Sequence, residues 1–117
     1  MAAQLYDLGH NVEYIDVDVN KIPCTFSIKL GDKTYTLTFK YNAQGGFFTV
    51  DLETTQGDVL AYGDIIRYGR PLFGSIEDDR FPLPVIIPRG FTPGVDTVTF
   101  ENFGKEVKLY LYDRGVA

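Results

Sequence analysis

Apolar and polar residues alternate along much of the first half of the chain. "YIDVDVN" (14–20) puts Ile15, Val17 and Val19 on one side and Asp16 and Asp18 on the other. "CTFSIKL" (24–30), "TYTLTFKY" (34–41) and "FFTVDLE" (47–53) repeat the pattern. A period of two is the mark of a strand with one buried face. Two turns join these segments. Gly31-Asp32 suits a two-residue hairpin with glycine first, which sets Ile28 opposite Tyr35, Phe26 opposite Leu37 and Cys24 opposite Phe39. The four-residue loop Ala43–Gly46 then sets Tyr41 opposite Phe48, Phe39 opposite Val50 and Leu37 opposite Leu52, with Lys40 diagonal to Asp51 on the outer face. Each pairing brings inward residues together, and a slip of one residue would turn an apolar face to water.

The C-terminal segment "DTVTFENFGKEVKLYLY" (96–112) predicts another hairpin. A turn at Phe103-Gly104 pairs Phe100 with Val107 and Val98 with Leu109. In between, the alternation fails. Residues 61–94 hold all but one of the six prolines, and Pro82, Pro84, Pro88 and Pro93 are incompatible with a central strand. Ile65 and Ile66 begin either a helical turn or a short strand. Residues 85–87 read as a short strand, and the rest of 67–95 as a long ordered loop. Residues 1–11 read as an N-terminal arm or short turn. The chain is thus expected to be one all-β domain over 1–117, an antiparallel barrel or sandwich of about seven strands. Its inward set is Phe26, Ile28, Leu37, Phe39, Val50, Leu52, Val98, Phe100, Val107, Leu109 and Leu111.

Composition narrows the function classes. Nine Phe, eight Tyr and no Trp fit β structure. The net charge is −5 and the basic residues are scattered, which argues against nucleic acid or an anionic membrane as a partner. Cys24 is the only cysteine, so no internal disulfide forms. The N-terminal residues lack the basic and apolar stretches of a signal peptide, and no apolar run approaches a membrane span. Synthesis in a reducing cytoplasm fits these features.

Candidates for chemistry are few. "DVDVN" begins like a calcium loop, but Lys21 and Ser27 stand where an EF-hand needs glycine and glutamate. "EDDR" (77–80) reads as an exposed loop tip. His10 is the only histidine, and neither Ser27 nor Ser75 sits in a nucleophile motif. Cys24 falls on the inward side of its strand and reads as buried and inert. No catalytic residue, metal ligand or cofactor is expected.

Several spaced motifs carry a resemblance: Leu30-Gly31-Asp32 at a strand end; Tyr35, Leu37, Tyr41 and Asn42; Phe48, Asp51 and Gly57; Gly63, Ile66 and Gly69; and Gly104 before Leu109, Tyr110 and Tyr112. In their order and spacing the chain, over roughly residues 13–113, resembles the baseplate plug family of contractile-tailed phages and prophages. Tyr41 stands where that family more often has Trp. The resemblance implies a structural virion protein of the tail baseplate without catalysis. Its partners would be hub, spike or tube-end proteins, and a homo-oligomer in the assembled baseplate is compatible. The rival reading is a carbohydrate- or receptor-binding β-domain with Tyr62, Tyr68, Phe73 or Phe91 as aromatic platforms; the absence of Trp weighs against it.

Arginine and aromatic residues are the usual anchors of protein interfaces. The expected partner surface is therefore the 67–95 segment, through Arg70, Phe73, Phe81, Arg89 and Phe91. Tyr110 and Tyr112, outward on the final strand beside Lys108, extend it. The bland alternative is that the loop aromatics fold back to close the end of the barrel.

Overall fold

Turn chemistry and alternation build one sheet of the protein directly. The computed structural model describes residues 5–7, 13–31, 33–73 and 84–112. Among them the strands are β1 (Leu5–Asp7), β2 (Glu13–Ile15), β3 (Cys24–Leu30), β4 (Lys33–Asn42), β5 (Phe47–Thr54), β6 (Val59–Ile65), β7 (Val85–Arg89) and β8 (Lys108–Tyr112). They form two four-stranded antiparallel sheets, in the orders β3-β4-β5-β6 and β1-β2-β8-β7. No strand is shared, so the architecture is a sandwich rather than a closed barrel.

The first sheet carries the expected registers. Ile28 lies opposite Tyr35, Phe26 opposite Leu37, Leu37 opposite Leu52, and Tyr41 opposite Phe48. Gly31 has φ 72°, as its place in the turn requires. In the next loop the Asn42 side chain accepts from Gly45 N at 2.8 Å, and its carbonyl accepts from Gly46 N at 2.7 Å. Lys40 reaches Asp51 at 3.4 Å, the diagonal ion pair. Strand β6 is the addition. Its register against β5 shifts twice, around Leu52. Such bulges erase the period of two that marks a strand in sequence. Asp51, itself buried, accepts the Gly63 N–H at 2.7 Å and so satisfies a donor that the ladder leaves out.

The second sheet departs from expectation in three places. Leu5–Asp7, expected within an arm, pairs with β2. The strand expected over 14–20 stops at Ile15, and Val19–Lys21 is a 3-10 turn capped by Asp18, whose carboxylate accepts from Asn20 N at 2.9 Å. Val17 and Val19 still face the core. The C-terminal hairpin does not form. Residues 99–107 fold into consecutive turns in which Thr99 and Asn102 capture the backbone: Thr99 N donates to the Asn102 side chain at 2.8 Å, Asn102 N to the Thr99 hydroxyl at 3.1 Å, and the Asn102 amide to Thr97 O at 2.9 Å. Side chains that offer the backbone its hydrogen bonds compete with a ladder. Phe103 consequently enters the core, while Phe100 is 42% exposed. Strand β8 pairs instead with β2 and β7.

The segment after β6 closes one side of the sandwich. Ile66 N donates to Phe48 O at 2.9 Å, then Gly69 N and Leu72 N donate to Pro88 O and Ile86 O at 2.7 and 2.8 Å. This turn covers the outer edge of β7, and an edge strand is where Pro88 is tolerated. The core between the sheets joins Ile15, Val17, Leu109 and Val107 to Phe26, Leu37, Phe39, Phe48, Val50 and Leu52, with Phe103 among them.

Candidate docking surface

Strand alternation places Lys108, Tyr110 and Tyr112 on the face of β8 away from the core, because Leu109 points into it. Register then aligns Tyr14, Tyr110 and Ile87 in one row across β2, β8 and β7, and Lys108 beside Arg89 in the next. Phe91 follows β7 and returns over this face. Its ring lies 5.2 Å from that of Tyr110, edge-on, and Tyr110 meets Tyr14 edge-on at 5.7 Å. The Arg89 guanidinium stands 5.0 Å from the Phe91 ring centre and donates to the Tyr112 hydroxyl at 3.3 Å. The Lys108 ammonium stands 4.2 Å above the Tyr14 ring.

The result is a basic and aromatic patch on the outer face of the second sheet. Phe91 is 59% exposed at its centre, while Tyr110, though it faces outward, is only 4% exposed beneath its neighbours. Burial raises the Tyr110 phenol above its ordinary range. Tyr110 is thus the floor of the patch, and Phe91, Arg89, Lys108 and Tyr112 its accessible part.

Of the residues expected to meet a partner, Arg89, Phe91, Tyr110 and Tyr112 come together here. Arg70 is exposed on the turn that covers the β7 edge and takes no part in these contacts. Phe73 is a correction. It is buried in the core with φ 64°, and its N–H donates to Asp64 at 2.7 Å, so it closes the sandwich rather than facing a partner. Phe81 lies outside the described residues, as do His10, Ser75 and the 77–80 cluster. Tyr14 and Ile87 belong to the patch without having been singled out. The signal for Tyr14 was present, since an inward Ile15 implies an outward neighbour.

The other candidates scatter. Tyr62 is 75% exposed on the outer face of the first sheet, under the Lys40 ammonium, which donates to its hydroxyl at 3.3 Å. That hydrogen bond, with the Asp51 carboxylate, raises the Lys40 pKa. The Tyr68 hydroxyl is tied to the backbone of Gly90, donating to its carbonyl and accepting from its N–H, both at 3.1 Å. Tyr62, Tyr68, Phe73 and Phe91 therefore form no common platform for a sugar. Cys24 is half-buried rather than fully enclosed, and desolvation raises its thiol pKa. Among the described residues no three His, Cys, Asp or Glu side chains gather as metal ligands, and no helix is long and apolar enough to cross a membrane.

A family model described as cyanophage baseplate Pam3 plug gp18 matches residues 12–114. No curated protein and no solved structure gives a significant match to the chain.

Proposed function

The chain belongs to the cyanophage baseplate plug family, and from that membership we propose that it acts as one non-catalytic domain that seats against a hub, spike or tube-end protein. It is a structural component of the phage tail baseplate; the family match across residues 12–114 carries this. The finer reading adds contact through the outer face of the second sheet. Its support is the clustering of Arg89 and Tyr112 on the β7–β8 pair with Phe91, just past β7, each side chain held by another. Pre-ordered aromatic and arginine side chains lose little freedom on binding. Synthesis takes place in the host cytoplasm, before assembly into the tail.

The test is co-purification with the baseplate proteins encoded beside it. Wild-type chain should retain a hub, spike or tube-end protein, and Phe91→Ser should weaken that retention without a comparable loss of melting temperature. Retention unchanged in well-folded Phe91→Ser and Tyr112→Ser variants would move the docking surface elsewhere.

A further inference from the structure

Arg89 and Lys108 are register partners on adjacent strands. Like charges directly opposite one another on a sheet face repel. Here each cation rests on its own ring, Arg89 on Phe91 and Lys108 on Tyr14. Among the described residues neither forms an ion pair with a carboxylate; Lys40 with Asp51 on the other sheet shows what such a pair looks like in this protein. Arg89 commits one N–H to Tyr112, out of the five that a guanidinium offers. Two cations on neighbouring strands that meet no anion among the described residues stand out in a chain of net charge −5.

We propose that this pair receives an acidic segment of a neighbouring tail protein. Carboxylates of that segment meet the Arg89 guanidinium, beside Tyr112, and the Lys108 ammonium, over Tyr14, and an apolar side chain between them lies on Phe91. The cation–π contacts orient both charges before the partner arrives, and a guanidinium matches the two oxygens of a carboxylate. Two cations are too few to follow a phosphate backbone, which favours an acidic protein segment over nucleic acid. The inference rests on the docking reading above and specifies its chemistry.

Tails purified from the phage or prophage that encodes the chain provide the test. A photo-crosslinking side chain placed at position 91 reports which protein covers the face. Zero-length carbodiimide coupling, which joins an ammonium to a carboxylate only at contact distance, reports what Lys108 touches. The expected result is an amide between Lys108 and an Asp or Glu of the protein that position 91 also captures. The Arg89→Gln, Lys108→Gln double variant should bind that protein roughly ten-fold more weakly, with a shallower dependence on salt. Capture at position 91 without the Lys108 amide, or unchanged affinity of the double variant, overturns the acidic partner and leaves the docking reading intact. Capture of nucleic acid overturns it as well. If position 91 captures nothing in assembled tails, the docking reading itself fails.

Discussion

Replacing Phe103 or Phe100 with alanine separates the observed C-terminal fold from the hairpin that the sequence suggests. Phe103 is 1% exposed, with its ring centre 4.7 Å from that of Phe48 and 6.5 Å from that of Phe39. Removing a fully enclosed phenyl ring costs about 3–5 kcal/mol, from lost transfer energy and the cavity left behind. Phe100 sits on the rim. It stacks on Phe48 at 6.0 Å and meets Tyr41 edge-on at 5.0 Å. Two such aromatic pairs, partly open to water, contribute about 1–2 kcal/mol. In a chain of this size each kcal/mol moves the melting temperature by roughly 3–5 °C. Phe103→Ala should therefore melt about 9–25 °C below wild type, and Phe100→Ala only about 3–10 °C below. Calorimetry and urea unfolding measure both. In the hairpin register Phe100 is inward and Phe103 lies in the turn, so the order reverses. A loss for Phe100→Ala equal to or larger than that for Phe103→Ala would refute the reasoning.

Three further outcomes are expected. Gly104 has φ 84°, and a side chain there would run into the Val17 carbonyl, whereas Gly57 at φ 94° has open space around it; in urea unfolding Gly57→Ala should cost about 1–2 kcal/mol and Gly104→Ala clearly more, and equal losses would contradict the close approach. The Lys40 pKa is raised by its bonds to Tyr62 and then Asp51, so the stabilisation is complete below the unfolded lysine value of about 10.4 and fades as pH climbs through the folded value; the melting deficit of Lys40→Met should shrink above that pH, and a deficit that grows would reverse the sign. Cys24 has a thiol pKa raised mainly by desolvation, so a thiol reagent should label native protein more slowly than unfolded protein at neutral pH and faster as pH rises; equal neutral rates would place the sulfur in open water.

The sequence was most legible where structure is local. Strands β3, β4 and β5 are each seven or more residues long and joined by short turns, so alternation and turn residues define their pairing without knowledge of the rest. The second sheet has strands of three to five residues drawn from both ends of the chain. Alternation marks parts of β2, β7 and β8 as strands, but segments that short hold too few periods to fix their bounds or pairing, and their partners are distant in sequence. Strand β6 leaves no alternation in the sequence because its register against β5 shifts twice. The C-terminal hairpin that alternation suggests gives way to turns because Thr99 and Asn102 capture backbone groups that a ladder would use. Four of the seven expected interface residues do meet: alternation puts Tyr110 and Tyr112 on one face of β8, and the β7–β8 register brings Arg89, with Phe91 after it, onto that face. Phe73 could not be sorted from them: its direction is set by the Asp64 bond and a left-handed backbone, and neither is encoded by apolar pattern.

The central claim is that this chain is a structural part of the phage baseplate. Cryo-electron microscopy of tails purified from the phage or prophage that encodes it, with quantitative mass spectrometry of the same particles, addresses that claim most directly. The account predicts the chain in fixed copy number, with density for the two-sheet sandwich at the baseplate end and the Arg89–Phe91 face buried against another tail protein. Intact baseplates that lack the chain altogether would contradict it.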